Sequence, residues 1–592
     1  VTLAIATQRM ARRGVIVRRL TAVEGLGSCT LIATDKTGTL TVNELTVVEA
    51  RLAGGEVITV TGEGFVPEGQ VFAGDNPVGA GELPALEELV CAGILCNEAD
   101  LHQRTGSWSW RGDAVDIALL SFGHKLGWLR EAALDTHPQV NEIPFESEHQ
   151  YAATFHRLDG ATRVFVKGAP ERVLAMCRDG EGGDAVEAAA LDMARRGLRV
   201  LALAAGQGDV CVDGSRAPAE PDNLTFLGLV GMMDPLRPGV PEAIEACRSA
   251  GVEVTMVTGD HRVTALAIAR QMNLASDEEQ VVTGPELIGL TPGELAEVVR
   301  RVRVFARVAP HQKLQIVEAA RASGHFVAVT GDGVNDAPAL RTANIGVAMG
   351  KGGTDVAREA AELVISDDNF ATIAAGIEEG RVAYDNIRKV IYLLISTGAA
   401  ELVLMALSVA TGTPLPLLPV QILWLNLVTN GIQDVALAFE PGEDGVLKRK
   451  PRPPEEPIFN RLMVERTVVA AVTGGGVGFG AFYWMIANGW DEAAARNVLL
   501  LTMVLFENFH IGNCRSETKS ALLLSPLRSP VLLTGTLLAF LIHVAVMHIP
   551  FMQQILGTAP VSQGTWLVAI VLAVLVVPVM ELHKWSWRRR TR

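Results

Sequence analysis

The pattern of apolar and polar residues divides the chain near residue 390. Before this point, apolar runs are short and are interrupted by glycine, proline and charged residues. After it come long apolar stretches, most of them close to the roughly 20 residues that a helix needs to cross a bilayer. The pattern therefore predicts a soluble region followed by six membrane-spanning helices, the fourth of which is the shortest. The predicted spans are residues 390–411, 420–439, 467–486, 498–511, 531–548 and 565–582.

The basic residues between these stretches predict one orientation. Lys and Arg cluster before the first stretch and in every second loop after it, whereas loops 412–419, 488–497 and 549–564 contain only Arg496. Positive residues mark the cytoplasmic side of a membrane protein. The soluble region and the carboxyl terminus are therefore predicted to be cytoplasmic, and the alternative of a buried soluble bundle is disfavoured.

Three short apolar runs in the soluble region each lead into an acidic loop, and helical patterns follow two of them. Strands that alternate with helices predict a doubly wound parallel sheet. Ligands of such sheets bind at the carboxyl ends of the strands, so the acidic residues are predicted to converge there. The runs with their acidic residues are 30–34 with Asp35, 252–257 with Asp260, and 326–329 with Asp332; the helices are 262–272 and 337–344.

Composition is consistent with this division and excludes some classes of protein. The chain has 51 Lys and Arg against 66 Asp and Glu, a net charge of −15, whereas a nucleic-acid-binding protein needs a basic face. A hydrophobic fraction of 49% excludes an intrinsically disordered chain. The seven cysteines include no C-x-x-C pair, which is typical of scattered thiols in a reducing compartment.

The residues after the predicted strands are suited to phosphoryl transfer. Asp35 is a carboxylate able to attack phosphorus, and Lys36 with the following glycine turn suits phosphate oxygens. Asp332 and Asp336 are hard oxygen ligands of the kind that hold Mg²⁺, and Lys313 is a cation that neutralises charge on a transferring group. Any one of these aspartates alone would be interpreted as a helix cap or turn residue.

Five motifs together resemble the signatures of P-type cation-transporting ATPases, in that family's order and spacing. The resemblance covers essentially the whole chain and is strongest to the calcium-pump-like branch. It implies an α/β haloacid-dehalogenase-like phosphorylation domain with an inserted α+β nucleotide-binding domain, followed by an all-α transmembrane bundle. The motifs are D-K-T-G-T-L-T at 35–41, K-G-A-P-E at 167–171, D-P-L-R at 234–237, T-G-D at 258–260 and T-G-D-G-V-N-D-A-P-A-L at 330–340.

The resemblance also implies domain boundaries. The actuator domain and first helices of the family would precede Val1, so the chain as given is not expected to complete a transport cycle. The implied segments are the end of the fourth transmembrane helix with its stalk at 1–19, the phosphorylation domain at 20–41 and 234–380, the nucleotide-binding domain at 42–233 and the six-helix transmembrane domain at 381–592.

For catalysis, the resemblance implies that Asp35 is the nucleophile that takes the γ-phosphate of ATP. Mg²⁺ would be held by Asp35, the carbonyl of Thr37 and Asp332. Soluble relatives of that fold carry a general acid–base aspartate where Thr37 stands, so the aspartyl phosphate is expected to persist and drive a conformational change. The other implied catalytic residues are Lys36, Thr258, Gly259, Asp260, Lys313, Asn335 and Asp336.

For the nucleotide, the resemblance implies that Phe145 stacks on adenine, although without the neighbouring motif it would be interpreted as a core aromatic residue. The family often has a basic pair shortly after this aromatic residue, and His149 and Gln150 stand there instead, which weakens one expected contact. The implied pocket residues are Asp116, Phe145, Lys167, Gly168 and Arg199.

Polar residues inside the predicted spans are costly and are therefore functional candidates. Glu401 lies in the first span and Glu507 in the fourth. Asn426, Asn430 and Asp434 are spaced by four residues along one face of the second. Oxygen ligands that converge from three helices suit a hard cation, and an interhelical hydrogen-bond network is the alternative.

The resemblance narrows the choice of cation. Gly398 stands where the calcium pumps have an asparagine ligand, and Asn430 stands where they have a bridging aspartate, which argues against an unmodified two-calcium site. Asp434, one helical turn further on, is a candidate replacement. The positions that match calcium ligands of the family are Glu401, Asn426, Thr429 and Glu507.

The sequence thus predicts ATP-driven primary active transport of a cation, with Ca²⁺ favoured. The alternatives are a pump for Na⁺, K⁺ or H⁺, a pump for Mn²⁺ or Mg²⁺, a phospholipid flippase, which would lack a cluster of three carboxylates, and a regulator or degenerate phosphatase that does not transport. The predicted cofactors are ATP and Mg²⁺, and the predicted partners are the transported cation and the lipid bilayer. The predicted location is the bacterial plasma membrane.

Overall fold

The computed structural model of the protein describes residues 1–79, 81–104, 106–146, 148–158, 161–178, 183–208, 218–453 and 456–591. Cys211 lies outside these ranges. Five of the other cysteines are buried free thiols, namely Cys29, Cys91, Cys96, Cys247 and Cys514.

The first residues contribute two strands to an eight-stranded sheet. The strand that ends at Asp35 is buried along its length up to that residue, as an apolar run in the middle of a parallel sheet should be. The elements are α1 (Thr2–Arg12), β1 (Val15–Val17), α2 (Thr21–Gly27) and β2 (Leu31–Asp35).

The next part of the chain forms a separate nine-stranded antiparallel sheet and a two-stranded hairpin, with buried apolar side chains on both faces of the large sheet. Its strands are β3 (Thr46–Leu52), β4 (Val57–Val60), β5 (Val71–Ala73), β6 (Asn76–Pro77), β7 (Asp100–Arg104), β8 (Ser107–Arg111), β9 (Gln139–Ile143), β10 (Tyr151–Leu158), β11 (Ala161–Gly168), β12 (Arg199–Gln207) and β13 (Thr225–Met233). Its helices are α3 (Pro84–Leu95), α4 (Ala114–Lys125), α5 (Arg130–Thr136), α6 (Pro170–Leu174) and α7 (Asp184–Arg195).

The chain enters and leaves this region through two neighbouring strands. The strand order is β6-β5-β4-β3-β13-β12-β11-β10-β9, so the entering strand β3 and the leaving strand β13 are neighbours. Asp234 accepts hydrogen bonds from the hydroxyl of Thr41 at 2.6 Å and from the amide of Asn43 at 2.8 Å. Arg237 donates to the carbonyls of Thr41 and Gly38, both at 3.1 Å. The D-P-L-R motif therefore ties the two connecting segments together.

The chain then completes the eight-stranded sheet. The strands are β14 (Glu253–Val257), β15 (Val281–Thr283), β16 (Val304–Ala306), β17 (Val327–Gly331), β18 (Ile345–Met349) and β19 (Leu363–Ile365). The helices are α8 (Val240–Ser249), α9 (Arg262–Gln271), α10 (Gly284–Leu287), α11 (Pro292–Arg301), α12 (Pro310–Ala322), α13 (Ala337–Thr342) and α14 (Asp355–Ala360).

The order of this sheet is β1-β19-β18-β17-β2-β14-β16-β15, and every neighbouring pair is parallel except β1 with β19. Buried apolar residues cover both of its faces. The predicted parallel α/β arrangement is confirmed, because β2 lies between β14 and β17, the other two strands that the sequence indicated.

Helices cover all six apolar stretches in the last third of the chain. They are α15 (Phe370–Thr411), α16 (Pro419–Trp424), α17 (Asn430–Leu437), α18 (Arg461–Ala487), α19 (Glu492–Cys514), α20 (Pro530–Val546), α21 (Pro550–Leu556), α22 (Gln563–Val574) and α23 (Val576–Thr591).

By length and composition alone, fewer of these helices qualify as membrane spans than the six predicted. Within the described ranges three helices do so, namely Phe370–Thr411, Arg461–Ala487 and Gln563–Arg590. A fourth candidate is the pair Pro530–Val546 and Pro550–Leu556, which is bent by 96°. The second stretch is divided at residues 425–429, and α19 carries several polar side chains. These two spans therefore stay predictions.

The 42-residue helix α15 connects the eight-stranded sheet to the helical bundle. Phe370, Ile373 and Ile377 lie in the core that covers one face of the sheet. Further along the same helix, Leu393 and Leu404 lie in the core of the bundle. One continuous helix therefore contributes to both cores.

Candidate active site

Three aspartates lie together at the carboxyl ends of two neighbouring strands. Asp35 is the last residue of β2, and Asp332 and Asp336 follow β17. β2 and β17 pair in parallel with Val329 opposite Ala33, so the two strands end at the same edge. One carboxylate oxygen from each aspartate lies within 4.8 Å of the others, an arrangement that can hold a hard metal ion.

Lys313 on α12 lies beside this cluster. Its ammonium nitrogen is 3.1 Å from Asp35 Oδ2 and 2.8 Å from Asp336 Oδ1, and the side chain is buried. Burial alone lowers the pKa of Lys313, but the carboxylates of Asp35 and Asp336 outweigh this effect and the net shift of its pKa is upward. The lysine is therefore a permanent cation at neutral pH.

Asp336 orders the loop that carries Asp332. Its Oδ2 accepts hydrogen bonds from the backbone amides of Asp332 and Gly333, both at 3.1 Å. Burial, followed by the nearby carboxylates of Asp35 and Asp336, raises the pKa of Asp332 to about 6. Three carboxylates facing one lysine leave excess negative charge, which a divalent cation would neutralise.

The turn after Asp35 brings its backbone close to the same cluster. Gly38 has φ +72°, and a Cβ atom there would lie 3.0 Å from Asp332 Oδ2, so both conformation and space favour glycine. Thr37 is extended, with φ −70° and ψ 131°. Lys36 does not point to Asp35; its ammonium group lies 2.7 Å from Asp260 Oδ2.

The remaining predicted catalytic residues surround this edge. The hydroxyl of Thr258 accepts a hydrogen bond from the amide of Asp260 at 3.1 Å. A Cβ atom at Gly259 would meet no atom of the described residues within 4 Å, so the space beside it is open. Asn335 is exposed on the turn Val334–Asp336. Thr258 and Gly259 directly follow Val257, which lies opposite Asp35 in the sheet.

Sequence reasoning missed Asp368, which supports the site from a distance. Its carboxylate accepts hydrogen bonds from three consecutive amides, those of Gly350 at 2.6 Å, Lys351 at 3.0 Å and Gly352 at 2.7 Å. This fixes the loop up to Thr354, whose amide donates to the carbonyl of Asp332 at 2.8 Å. The available signal was a glycine-rich run followed by an acidic residue just before a long helix.

Two of the predicted nucleotide residues are paired with each other. Lys167 on β11 forms a buried ion pair with Asp116 on α4, and Asp116 also accepts a hydrogen bond from the amide of Glu98 at 2.9 Å. Next to Lys167, a Cβ atom on Gly168 would lie 2.5 Å from the carbonyl oxygen of Gln150, so this position has space only for glycine.

The register of the nine-stranded sheet places these residues at the ends of its strands, on the side where the chain leaves the sheet toward Asp234. Gly168 lies opposite Tyr151, so β11 ends where β10 begins. Arg199, exposed at the start of β12, lies opposite Met232. Met232 precedes the connecting residue Asp234 by only two positions. The predicted nucleotide residues therefore lie on the side of this sheet nearest the aspartate cluster.

Phe145 is not a core residue. It follows the end of β9 by two positions, at the same end of the strands as Gly168, and 57% of its surface is exposed. An exposed phenylalanine is available to stack on a flat aromatic ligand.

In the helical bundle, polar side chains from three helices pair across the predicted cation site. The amide of Asn426 donates to both carboxylate oxygens of Glu401, at 3.1 and 2.9 Å. The hydroxyl of Thr429 donates to Glu507 Oε2 at 2.6 Å. The chain is irregular at residues 425–429, where one helical turn is widened; such widened turns are frequent at functional sites.

Further oxygens near this site are buried and have no hydrogen-bond partner among the described residues. They are Asn430 Oδ1, Gln433 Oε1 and Asp434 Oδ1. At Gly398 a Cβ atom would meet none of the described atoms within 4 Å. Buried oxygens without a hydrogen-bond partner are consistent with an ion or water as their partner.

The fold joins a cluster of three aspartates, at the end of a parallel sheet, to a polar cluster inside a helical bundle through the single helix α15. Residues 85–239 match the family model described as "P-type ATPase, cytoplasmic domain N". Residues 414–586 match the model described as "Cation transporting ATPase, C-terminus".

Similar proteins carry matching names. The chain is 41% identical, over 98% of its length, to the probable cation-transporting ATPase F of Mycobacterium tuberculosis, of which it covers 65%. It is 39% identical, over 98% of its length, to the cation-transporting ATPase pma1 of Synechocystis sp., of which it covers 66%. It is 38% identical, over 97% of its length, to the calcium-transporting ATPase of Bacillus subtilis, of which it covers 66%. The chain belongs to the P-type cation-transporting ATPases.

Proposed function

We propose that the protein takes part in ATP-driven primary active transport of a cation, with an aspartyl phosphate formed on Asp35 as the intermediate. The observation that carries this proposal is the meeting of Asp35, Asp332 and Asp336 at one sheet edge, with Lys313 in contact with two of them.

In the proposed phosphorylation step, a carboxylate oxygen of Asp35 attacks the γ-phosphorus of ATP. The new O–P bond forms as the bond to the leaving oxygen of ADP breaks. Lys313 neutralises negative charge on the transferring group and on the nucleophile. Thr258 and Gly259 follow Val257, which lies opposite Asp35 in the sheet, so they would lie beside the phosphoryl oxygens.

The residues present also fit the Mg²⁺ that this chemistry uses. Asp35, Asp332 and the carbonyl of Thr37 would hold the ion, which supplies positive charge to the phosphoryl oxygens. Burial, and after it the carboxylates of Asp35 and Asp336, raises the pKa of Asp332 to about 6, and a divalent cation there would favour its charged form. Asp336 and Asn335 would keep the loop in place.

The domain boundaries implied by the family fit this scheme. We assign the haloacid-dehalogenase-like phosphorylation domain to residues 20–41 and 234–380, and the nucleotide-binding domain to 42–233. The exposed ring of Phe145 would stack on adenine. Lys167, Gly168, Asp116 and Arg199 would form the rest of the pocket, with Lys167 available to exchange its carboxylate partner for phosphate.

For the transported ion we favour Ca²⁺. Glu401 and Glu507 contribute carboxylates, Asn426 and Thr429 contribute neutral oxygens, and the unpartnered oxygens of Asn430 and Asp434 would complete the ligand set. Hard oxygen ligands in this number suit Ca²⁺. A relative named as a calcium-transporting ATPase supports this choice. Since Asn430 provides no charge, a single divalent ion fits better than two.

A pump for Na⁺, K⁺ or H⁺ is the second candidate, because the relatives from Mycobacterium and Synechocystis are named only for cations in general. Mn²⁺ and Mg²⁺ are further candidates. A phospholipid flippase is disfavoured by the carboxylates paired inside the bundle. We place the protein in the bacterial plasma membrane as a multi-pass protein with its catalytic domains in the cytoplasm.

The decisive experiment is to label the purified protein with radioactive γ-phosphate from ATP and to measure the acid-stable phosphoenzyme with Mg²⁺ and with each candidate cation. Asp35→Asn is expected to abolish the label, whereas Asp355→Asn, an exposed carboxylate paired with Arg358 on α14, should keep it. Label on Asp35→Asn would refute the nucleophile. Labelling that is indifferent to every cation would refute the transport assignment.

A further inference from the structure

A cavity of about 180 Å³ lies where the end of helix α2, helix α15 and the segment before α18 meet. Five cationic and three anionic side chains line it, so its wall carries an excess of two positive charges. The cations include Arg388 from α15 and Arg449, Lys450 and Arg452 from the segment before α18. None of these residues belongs to the phosphorylation, nucleotide or cation sites.

Three residues of this wall carry a buried hydrogen-bond donor without a partner in the described part of the chain. The donors are the hydroxyl of Tyr384, Nη2 of Arg388 and Nε of Arg452. Apart from the Tyr384 oxygen, which can also accept, no buried acceptor atom of the described wall residues is left without a partner. Because unpaired buried donors are costly, the wall is suited to a ligand that brings several acceptor oxygens.

The donors are held in place by their neighbours. Arg388 Nε pairs with Glu517 at 2.8 Å, and the guanidinium of Arg452 lies 3.8 Å from the centre of the Tyr384 ring. Arg452 Nη2 also pairs with Glu24 at 2.9 Å. The guanidinium groups are therefore oriented before any ligand arrives, which lowers the entropic cost of binding.

We propose that this cavity binds a phosphate group. A phosphate offers several acceptor oxygens and negative charge, which match three donors and an excess of positive charge, and arginine forks suit its geometry. The predicted first span begins at residue 390, next to Arg388, so the cavity lies at the predicted membrane surface. Two sources share this chemistry, the headgroup of an anionic phospholipid and a free phosphate.

The test measures binding of inorganic phosphate to the purified full chain in a neutral detergent by calorimetry. Tyr384→Phe removes one donor and keeps the ring beneath Arg452, and Lys450→Gln removes one exposed charge of the wall. Tyr384→Phe is expected to weaken the cavity's phosphate binding about tenfold, as a lost hydrogen bond to a charged group does, and Lys450→Gln is expected to weaken it by less, because solvent screens an exposed charge. Arg300→Gln, an exposed arginine on α11, is the control and should bind as the unmodified protein does.

A second experiment distinguishes a lipid headgroup from a free phosphate. The protein is placed in nanodiscs of phosphatidylcholine, with or without phosphatidylglycerol, and the lipids that stay bound to it are counted by native mass spectrometry. Loss of retained phosphatidylglycerol in Tyr384→Phe and Lys450→Gln identifies a headgroup. Loss of inorganic phosphate binding alone identifies a free phosphate. If neither probe binds less well to these variants than to Arg300→Gln, while all unfold at the same temperature, the proposal is wrong.

Discussion

The ammonium group of Lys313 lies 3.1 Å from the carboxylate of Asp35, although the two residues are 278 positions apart in the chain. The same group also contacts Asp336, at 2.8 Å. One buried cation therefore holds the proposed nucleophile and the loop-ordering carboxylate in a fixed relation. Removing it leaves two neighbouring carboxylates without their shared partner.

We expect Lys313→Gln to reduce the rate of phosphoenzyme formation by about 10²- to 10³-fold, the usual cost of removing a group that stabilises charge in a transition state. Lys313→Arg should retain part of the rate because it keeps the charge. Rapid-quench labelling from radioactive ATP measures both. Lys351→Gln, an exposed lysine in a neighbouring loop, is the control. A rate for Lys313→Gln equal to that control would exclude the role.

The raised pKa of Asp332 makes a prediction about stability. Its pKa rises from 3.8 to about 6 through burial and then through Asp35 and Asp336. The folded protein therefore binds this proton more tightly than the unfolded chain does. The free energy of unfolding consequently falls as the pH rises from 3.8 to about 6. After allowance for solvent screening, we expect a penalty of about 1 kcal/mol at neutral pH.

Asp332→Asn should remove this penalty and raise the melting temperature at pH 7.5 in the absence of Mg²⁺. Mg²⁺ should raise the melting temperature of the unmodified protein and have little effect on the variant. Thermal unfolding followed from pH 4 to pH 8, with and without Mg²⁺, tests both expectations. Equal Mg²⁺ effects in the two proteins would show that Asp332 does not hold the ion.

Asp368 gives a third prediction, about positioning. Asp368→Ala leaves three backbone amides without their acceptor and releases the loop that contacts Asp332 through Thr354. We expect phosphoenzyme formation to slow about tenfold or more, the size of a lost hydrogen bond to a charged group, with KM for ATP unchanged. Asp368→Asn keeps one acceptor oxygen and should give an intermediate rate. A changed KM with an unchanged maximal rate would contradict a positioning role.

The meeting of Asp35 with Asp332 was predictable because its signals are local in the sequence. A buried apolar run followed by an acidic residue marks the carboxyl end of a parallel strand, and this pattern holds for Asp35 and Asp332. The pairing of Lys36 with Asp260, and not with Asp35, depends on how the turn of residues 36–40 folds. The support from Asp368 depends on a contact between two loops, and no periodic pattern reports such a contact.

The membrane region shows a different limit of sequence reasoning. Hydropathy finds a helix that faces lipid on most sides, but α19 is largely enclosed by its neighbours. An enclosed helix tolerates Glu507 and His510, and these side chains lower its hydropathy. In the second stretch the helix is interrupted by the widened turn at residues 425–429, which carries Thr429, the partner of Glu507. A hydropathy profile does not report which side chains pair, so it could not predict this interruption.

The pairing of Thr429 with Glu507 supplies the last prediction. Thr429 Oγ1 donates to Glu507 Oε2 at 2.6 Å, and both residues are buried. Glu507→Gln keeps the volume and removes the charge, so the cation concentration for half-maximal phosphoenzyme formation should rise more than tenfold. Thr429→Val should raise this concentration less, because the substitution removes one neutral ligand and the hydrogen bond that positions the carboxylate of Glu507.

Two controls on α19 separate this effect from loss of structure. Thr502→Val removes a buried hydroxyl that donates only to the carbonyl of Val498 in its own helix, at 2.8 Å. Glu492→Gln removes an exposed carboxylate that pairs with Arg496. Both should leave the cation dependence unchanged. If Thr502→Val shifts the cation dependence as much as Thr429→Val, or Glu507→Gln shifts it no more than Glu492→Gln, then the polar pairs of the bundle hold the helices together and do not bind the transported ion.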